Sequence, residues 1–218
     1  MFHMEQNDRQ QFESTLAVSR ETVEKLDAYA CLLREWNEKF NLIAPSTVEH
    51  IWTRHFMDSA QLYNLIDNKD AVLADMGSGA GFPGMVLAIM GCPNVHLIES
   101  IGKKAQFLNE VVRQIAPHVV VHHDRVENIK DFKADIVTAR AMSSLNDLFG
   151  LAHRILKPQG KCVFLKGRNA ELELTESKKY WTFSLDKKPS VSDPSGVILT
   201  IGNLKNAGNR RPSRNRKR

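Results

Sequence analysis

Five short apolar runs punctuate the middle of this 218-residue chain, at 71–75 (AVLAD), 94–99 (NVHLIE), 118–122 (HVVVH), 134–139 (ADIVTA) and 161–166 (KCVFLK). Segments with helical periodicity lie between them, at 82–91, 102–116, 125–130 and 144–156. Strand and helix in alternation build βαβ units, which restricts the chain to an α/β fold with a mostly parallel, doubly wound sheet. Two further stretches, near 178–186 and 196–202, are separated by Pro189 and by Asp193-Pro194-Ser195-Gly196. That turn chemistry predicts an antiparallel C-terminal hairpin closing the sheet.

The first forty residues read helical. Val23, Leu26, Ala30, Leu33, Trp36 and Phe40 recur at three- and four-residue steps, with Ser19 as a cap and Glu21 in the first turn. Ser46-x-x-Glu49 reads as a capping box that opens a second helix, with Val48, Trp52, Phe56, Ala60 and Tyr63 on one side. Three units follow: a helical extension packed on the core (1–68), the α/β core (69–203) and a basic tail (204–218). Net charge is +5, yet the seven cations after Leu204 have no acid among them, so the remainder is slightly acidic. Such a tail cannot bury a core; it is expected to be disordered alone and suits a polyanion such as nucleic acid, the bland alternative being a solubilising end. Cys31, Cys92 and Cys162 have no metal-type spacing, which with the absence of a signal-like N-terminus points to a reducing cytoplasm. The longest uncharged segment, Met76 to Ile98, holds five glycines and two prolines, too many for a membrane span.

In open α/β sheets, ligands bind outside the carboxyl ends of the strands. The first run delivers Asp75-Met76-Gly77-Ser78-Gly79-Ala80-Gly81-Phe82-Pro83-Gly84, and the second ends in Glu99, an acceptor placed for ribose hydroxyls. The third leads to Asp124-Arg125-Val126-Glu127, the fourth ends at Arg140, and the fifth at Lys166-Gly167-Arg168. Two cofactors compete for this crevice. Gly79-x-Gly81-x-x-Gly84, with Glu99 twenty residues on, satisfies the dinucleotide pattern of a nicotinamide-dependent oxidoreductase. Asp75-x-Gly77-x-Gly79-x-Gly81 instead reads as the loop of S-adenosylmethionine-dependent methyltransferases. The second reading is preferred because a carboxylate at Asp75 suits the ammonium of a methionine moiety and would repel a pyrophosphate.

DMGSGAGFPG, RHFMDS, WNEKFNLIA, DRVEN, TARAMSSL and FLKG, in this order between Trp36 and Gly167, together resemble the RsmG (GidB) family. These are bacterial small-subunit ribosomal RNA methyltransferases that act on guanosine N7. The resemblance implies a class I (Rossmann-like) methyltransferase sheet of seven strands with an N-terminal helical extension. It also implies S-adenosylmethionine contacts at Gly77, Phe82, Val126, Glu127 and Arg140, and as partner the small-subunit (16S) rRNA or the 30S particle. Met76, Ile43 and Met142 stand where the family often has Val, Thr and Val; none of these removes a polar group from the crevice.

N7 of guanine has a lone pair and no proton, so alignment and electrostatics suffice for methyl transfer. Candidate catalytic residues are Arg140, Lys166 and His55, the last also readable as a half-buried structural histidine. Candidate RNA ligands are Asn41, Arg54, Arg168, Arg210 and Arg211, although Arg54 and Asp58, four residues apart on one helix, are equally readable as a simple ion pair. Trp36 and Trp52 lie on apolar stripes and are expected in the core. His122-His123 lacks the further ligands a metal site needs, and no metal is expected. The competing functions are a small-molecule methyltransferase, the oxidoreductase, and a catalytically silent RNA-binding ribosome-assembly protein. A monomer is expected.

Overall fold

A computed structural model describes residues 2–208. Strands β1 (Leu73–Met76), β2 (Val95–Ile98), β3 (Val120–His122), β4 (Ala134–Arg140) and β5 (Leu156–Lys166) pair in parallel, and β6 (Trp181–Pro189) and β7 (Val197–Asn206) complete one sheet. The order is β3-β2-β1-β4-β5-β7-β6, with β7 antiparallel to both its neighbours. The expected hairpin is therefore present, and its second strand is the one that adds to β5.

Side chains alternate between the faces of a strand, and the sequence sorts them into two cores. Leu73, Val95, Leu97, Val163 and Leu165 join one core, and Ala74, Met76, Ile98, Cys162 and Phe164 the other. Helices α1 (Phe2–Thr15), α2 (Arg20–Phe40), α4 (Gly84–Ile89) and α5 (Gly102–Gln114) cover the first face. There Phe12, Leu26, Trp52 and Phe56 share one apolar cluster with Val86 and Phe107. The second face is covered by α6 (Leu145–Ile155) and α7 (Ala170–Ser177), through Leu145, Phe149 and Leu174. Trp52 is fully buried, as expected of a core residue, and Trp36 packs against the same cluster.

Helix α2 begins as its sequence suggests. Ser19 accepts a hydrogen bond from the Thr22 amide (3.1 Å), and the helix ends where Asn41 turns left-handed at φ 47°. The second helix does not begin as expected. No capping box forms at Ser46; Pro45 opens a 3-10 turn (Pro45–His50), which passes into a π-helical turn (Trp52–Met57) and then α3 (Asp58–Ala60). Proline lacks the amide that a first turn leaves unpaired, so the turn starts ahead of Ser46 and places Ser46 inside it.

Other boundaries also move. The helix expected at 125–130 is a single 3-10 turn, Val126–Asn128, and α7 carried too weak an apolar stripe to be read. Strand β7 runs on through Asn206, so Leu204 and Lys205, assigned above to the tail, are part of the sheet. Arg210, Arg211 and the rest of the basic segment from 209 lie outside the described residues. Among the described residues no helix is long and apolar enough to cross a membrane.

Candidate active site

The tip of β1 is a loop in which Gly77, Gly79 and Gly81 all have positive φ (61°, 59° and 96°). At Gly81 glycine is required twice over, because a Cβ there would also lie 2.5 Å from the Tyr29 hydroxyl. That hydroxyl, brought by α2, donates to the Ala80 carbonyl and ties the helical extension to the loop. Tyr29 was not singled out from the sequence; its place on the apolar stripe between Leu26 and Leu33 was the available signal.

Asp75 occupies the strand tip but not the role expected of it. Its carboxylate is completely buried, accepting from the Thr138 hydroxyl (2.8 Å) and the Gly84 amide (3.2 Å). Parallel register puts Asp75 beside Thr138, so the first bond follows from the sheet itself. Both oxygens are engaged within the fold and neither is exposed to the crevice. Burial raises its pKa from 3.8 to about 6, against the pull of its hydrogen bonds and of the Arg140 charge.

Glu99 closes the loop from the other side, accepting from the Gly79 amide (2.8 Å) and the Ile101 amide (2.7 Å). A carboxylate offers about four lone-pair positions, so capacity for ribose hydroxyls remains. Beside it lies a cavity of about 190 Å³ lined by Gly77, Ile98, Ser100, Asp124, Arg125, Val126, Glu127, Met142 and Leu151. Apolar side chains with a polar rim suit a nucleoside, and the expected contacts Gly77, Val126 and Glu127 converge there. Ser100 and Asp124 join them.

A second cavity, about 360 Å³, opens on the other side of the β4 tip, where Arg140 and Ala141 line it and Met142 lines the first. Ala141 turns the chain between the two with φ 48°. The Arg140 guanidinium is held by three acceptors: it donates to Asp58 (3.1 Å), to His55 Nδ1 (2.8 Å) and to the Arg54 carbonyl (3.1 Å), and lies over the Phe82 ring at 4.9 Å. Asp58 therefore pairs with Arg140 and not with Arg54, whose nearest carboxylate oxygen is on Asp193 at 3.9 Å. Phe82, expected against the cofactor, is buried and serves as the platform under Arg140 and His55.

His55 does not fit the part of a base. Arg140 occupies its Nδ1 lone pair, so its Nε2 proton points to Thr47 Oγ1 (2.8 Å), which in turn donates to the Ala44 carbonyl (2.8 Å). Burial, with Arg140 and Arg54 nearby, lowers its pKa from 6.5 to about 3. Histidine here orients Arg140. A folded-state pKa below the unfolded value means stability that is complete above pH 6.5 and is lost as pH falls towards 3, by about 1.4 kcal/mol per pH unit. Asp75 works in the opposite sense: its raised pKa favours folding at low pH, and that contribution is lost between about pH 4 and 6 as pH rises. His55→Gln removes only the histidine effect. Urea midpoints taken from pH 6.5 to 4 should show the variant gaining on the parent by about 1.4 kcal/mol per unit, whereas a difference independent of pH would contradict this.

Lys166 is not a free cation either. Its ammonium bonds the Ser143 carbonyl (2.9 Å) and Glu173 (2.7 Å), and the same Glu173 oxygen accepts from the Leu145 amide (2.7 Å) at the start of α6. Its charge locks α6 to α7 and is not free in the cavity it borders. Arg168 is exposed and Asn41, also exposed, terminates α2 without lining either cavity. His122 bonds His96 on the adjacent strand (2.9 Å), not its chain neighbour.

Sheet order, the antiparallel β7 and a glycine loop between two cavities define the class: a Rossmann-like methyltransferase. Solved structures share the fold. The crystal structure of M. jannaschii TYW2 in complex with AdoMet superposes with a TM-score of 0.55 at 16% identity, over 72% of this chain and 78% of that one. The B. subtilis tRNA methyltransferase TrmK gives 0.55 at 18%, over 66% and 64%. The chain belongs to the GidB family, rRNA small subunit methyltransferase G, whose model matches residues 22–196. The ribosomal RNA small subunit methyltransferase G of Rhodospirillum centenum is 50% identical over 193 residues, 88% of this chain and 89% of that protein. The protein of the same name from Paramagnetospirillum magneticum is 50% identical over 184 residues, 84% and 90%.

Proposed function

We propose that the chain transfers a methyl group from S-adenosylmethionine to N7 of a guanosine in small-subunit ribosomal RNA. The observation that carries the choice of cofactor is the occupancy of the loop amides. Gly79 and Gly84, whose amides a diphosphate would need, already bond the carboxylates of Glu99 and Asp75. A diphosphate would find those two amides already taken. A nucleoside with a cationic, phosphate-free tail needs neither.

When bound, S-adenosylmethionine supplies an electrophilic methyl group, and guanine N7 attacks it without losing a proton. Glu99 holds the ribose, and Gly77, Val126 and Glu127 the nucleoside. Arg140, fixed by Asp58, His55 and Phe82, stands at the junction of the two cavities and orients the base or its phosphate by charge. Arg54 and Arg168 contact RNA phosphates at the rim. Because His55 is neutral and its lone pair occupied, it cannot serve as a general base, in keeping with an acceptor that needs none. Isothermal titration should give binding of S-adenosylmethionine or its demethylated product and no heat with NAD. Binding of NAD would overturn the assignment.

A further inference from the structure

The loop joining β6 to β7 forms the far wall of the larger cavity, through Ser190, Ser192, Asp193 and Gly196. It is held there by residues about 130 positions earlier. Gln61 accepts from the Val191 amide (2.9 Å) and donates to Ser190 Oγ (3.0 Å), while Ser192 Oγ donates to Asp58 (2.6 Å). Asp58 thus ties this loop and Arg140 into one unit. The wall is fixed before any ligand arrives.

Most charged groups lining the cavity are already satisfied. Asp58 accepts from Ser192 and Gln61 on one oxygen and Arg140 on the other, and Lys166 is bound to Glu173. Asp193 differs. Its Oδ1 accepts from the Ser195 amide and hydroxyl (2.9 and 2.8 Å), but its Oδ2 has no donor within hydrogen-bond distance among the described residues, Arg54 being 3.9 Å away. Those bonds, with Arg54 and Arg168 nearby, hold its carboxyl below the usual range, so it is charged at neutral pH. An Arg54 contact that long, between half-exposed groups, contributes little to stability.

We infer that Asp193 is the base-reading residue of the RNA site, its free Oδ2 accepting from the N1–H and N2 amino edge of the target guanine. The inference rests on the methyl-transfer reading. In guanine the N7 edge and this donor edge are separate neighbours that flank O6. A base whose N7 faces the smaller cavity therefore keeps N1–H and the amino group free to meet a side wall of the larger one, which Asp193 lines. Adenine presents an acceptor at N1 and is rejected by a carboxylate. The contact also favours the reaction itself. As the N7 lone pair forms the new N–C bond, the C–S bond breaks, sulfur keeps that electron pair, and the purine takes up the positive charge. The N1–H becomes a stronger donor, so its bond to Asp193 is tighter in the transition state than before it.

The test uses the full chain and small-subunit particles reconstituted with either guanosine or inosine at the methylated position; inosine lacks the amino group. Asp193→Asn retains Oδ1 for the Ser195 turn and replaces the free acceptor with a donor. On guanosine particles its kcat/KM should fall about 10- to 100-fold, with S-adenosylmethionine affinity and melting temperature unchanged. The parent should prefer guanosine to inosine, and the variant should lose that preference. A variant of full activity, or one that is slower but keeps the guanosine preference, would overturn the inference and leave Asp193 a latch for Arg54. A parent that methylates neither particle would overturn the methyl-transfer reading and this inference with it.

Discussion

Arg140→Ala is expected to lower methyl transfer by about 100- to 1,000-fold, the scale of losing one preorganised electrostatic group at a reaction centre. The change removes the cation at the junction of the two cavities and leaves two partners stranded. Asp58 loses its ion-pair partner in a site where both side chains are more than four-fifths covered, and His55 loses the donor that fills its lone pair. Breaking a largely buried pair from one side costs about 3 kcal/mol, so the variant should also melt earlier. Pairing it with Asp58→Asn separates the effects. The double variant should regain much of the stability, because no uncompensated carboxylate remains, and none of the activity. Recovery of activity with stability would show that Arg140 serves the fold alone. Lysine at 140 should rescue poorly, since one ammonium cannot reach Asp58, His55 and the Arg54 carbonyl together.

Glu99→Ala should weaken S-adenosylmethionine binding about 10- to 150-fold, from the loss of a charged acceptor worth about 1.5–3 kcal/mol. The effect has two sources. The ribose loses its acceptor, and the Gly79 and Ile101 amides lose the carboxylate that sets the loop. Glu99→Gln distinguishes them: the amide carbonyl can still accept from one loop amide, so the loop is partly preserved while the charge at the ribose is gone. Calorimetry should place its affinity between those of the parent and the alanine variant. Parental affinity in Glu99→Ala would remove Glu99 from the site.

The strands were legible because each is a short apolar run ending in a polar tip, and the glycine loop because its spacing and Asp75 are contiguous. Residues contributed locally to the smaller cavity, Gly77, Val126 and Glu127, were legible for the same reason. Pairings across the fold were not. Arg54 and Asp58 stand four residues apart and suggest a helical ion pair, yet the turn between them is π-helical and Asp58 meets Arg140, 82 residues later. Lys166 at a strand end looked like a free cation, and only the tertiary contact with Glu173 on α7, a helix that itself went unread, reveals where its charge goes. Asp75 reads from the sequence as a ligand for an ammonium, yet a carboxylate with Thr138 beside it in register and Gly84 above it turns inward. His55 shows the same limit. Its burial and its donor come from separate elements, and both are needed to see that it cannot take a proton.

The most direct test of the central claim is methyl transfer from tritiated S-adenosylmethionine to small-subunit particles, and to their naked rRNA, from cells lacking this activity, followed by nucleoside analysis. The label should appear in 7-methylguanosine of the small-subunit rRNA, at a rate nearly flat from about pH 6.5 to 8.5 once RNA is saturating, because no base must be unprotonated first. Label in a different nucleoside, or none from a chain that binds the cofactor, would contradict it.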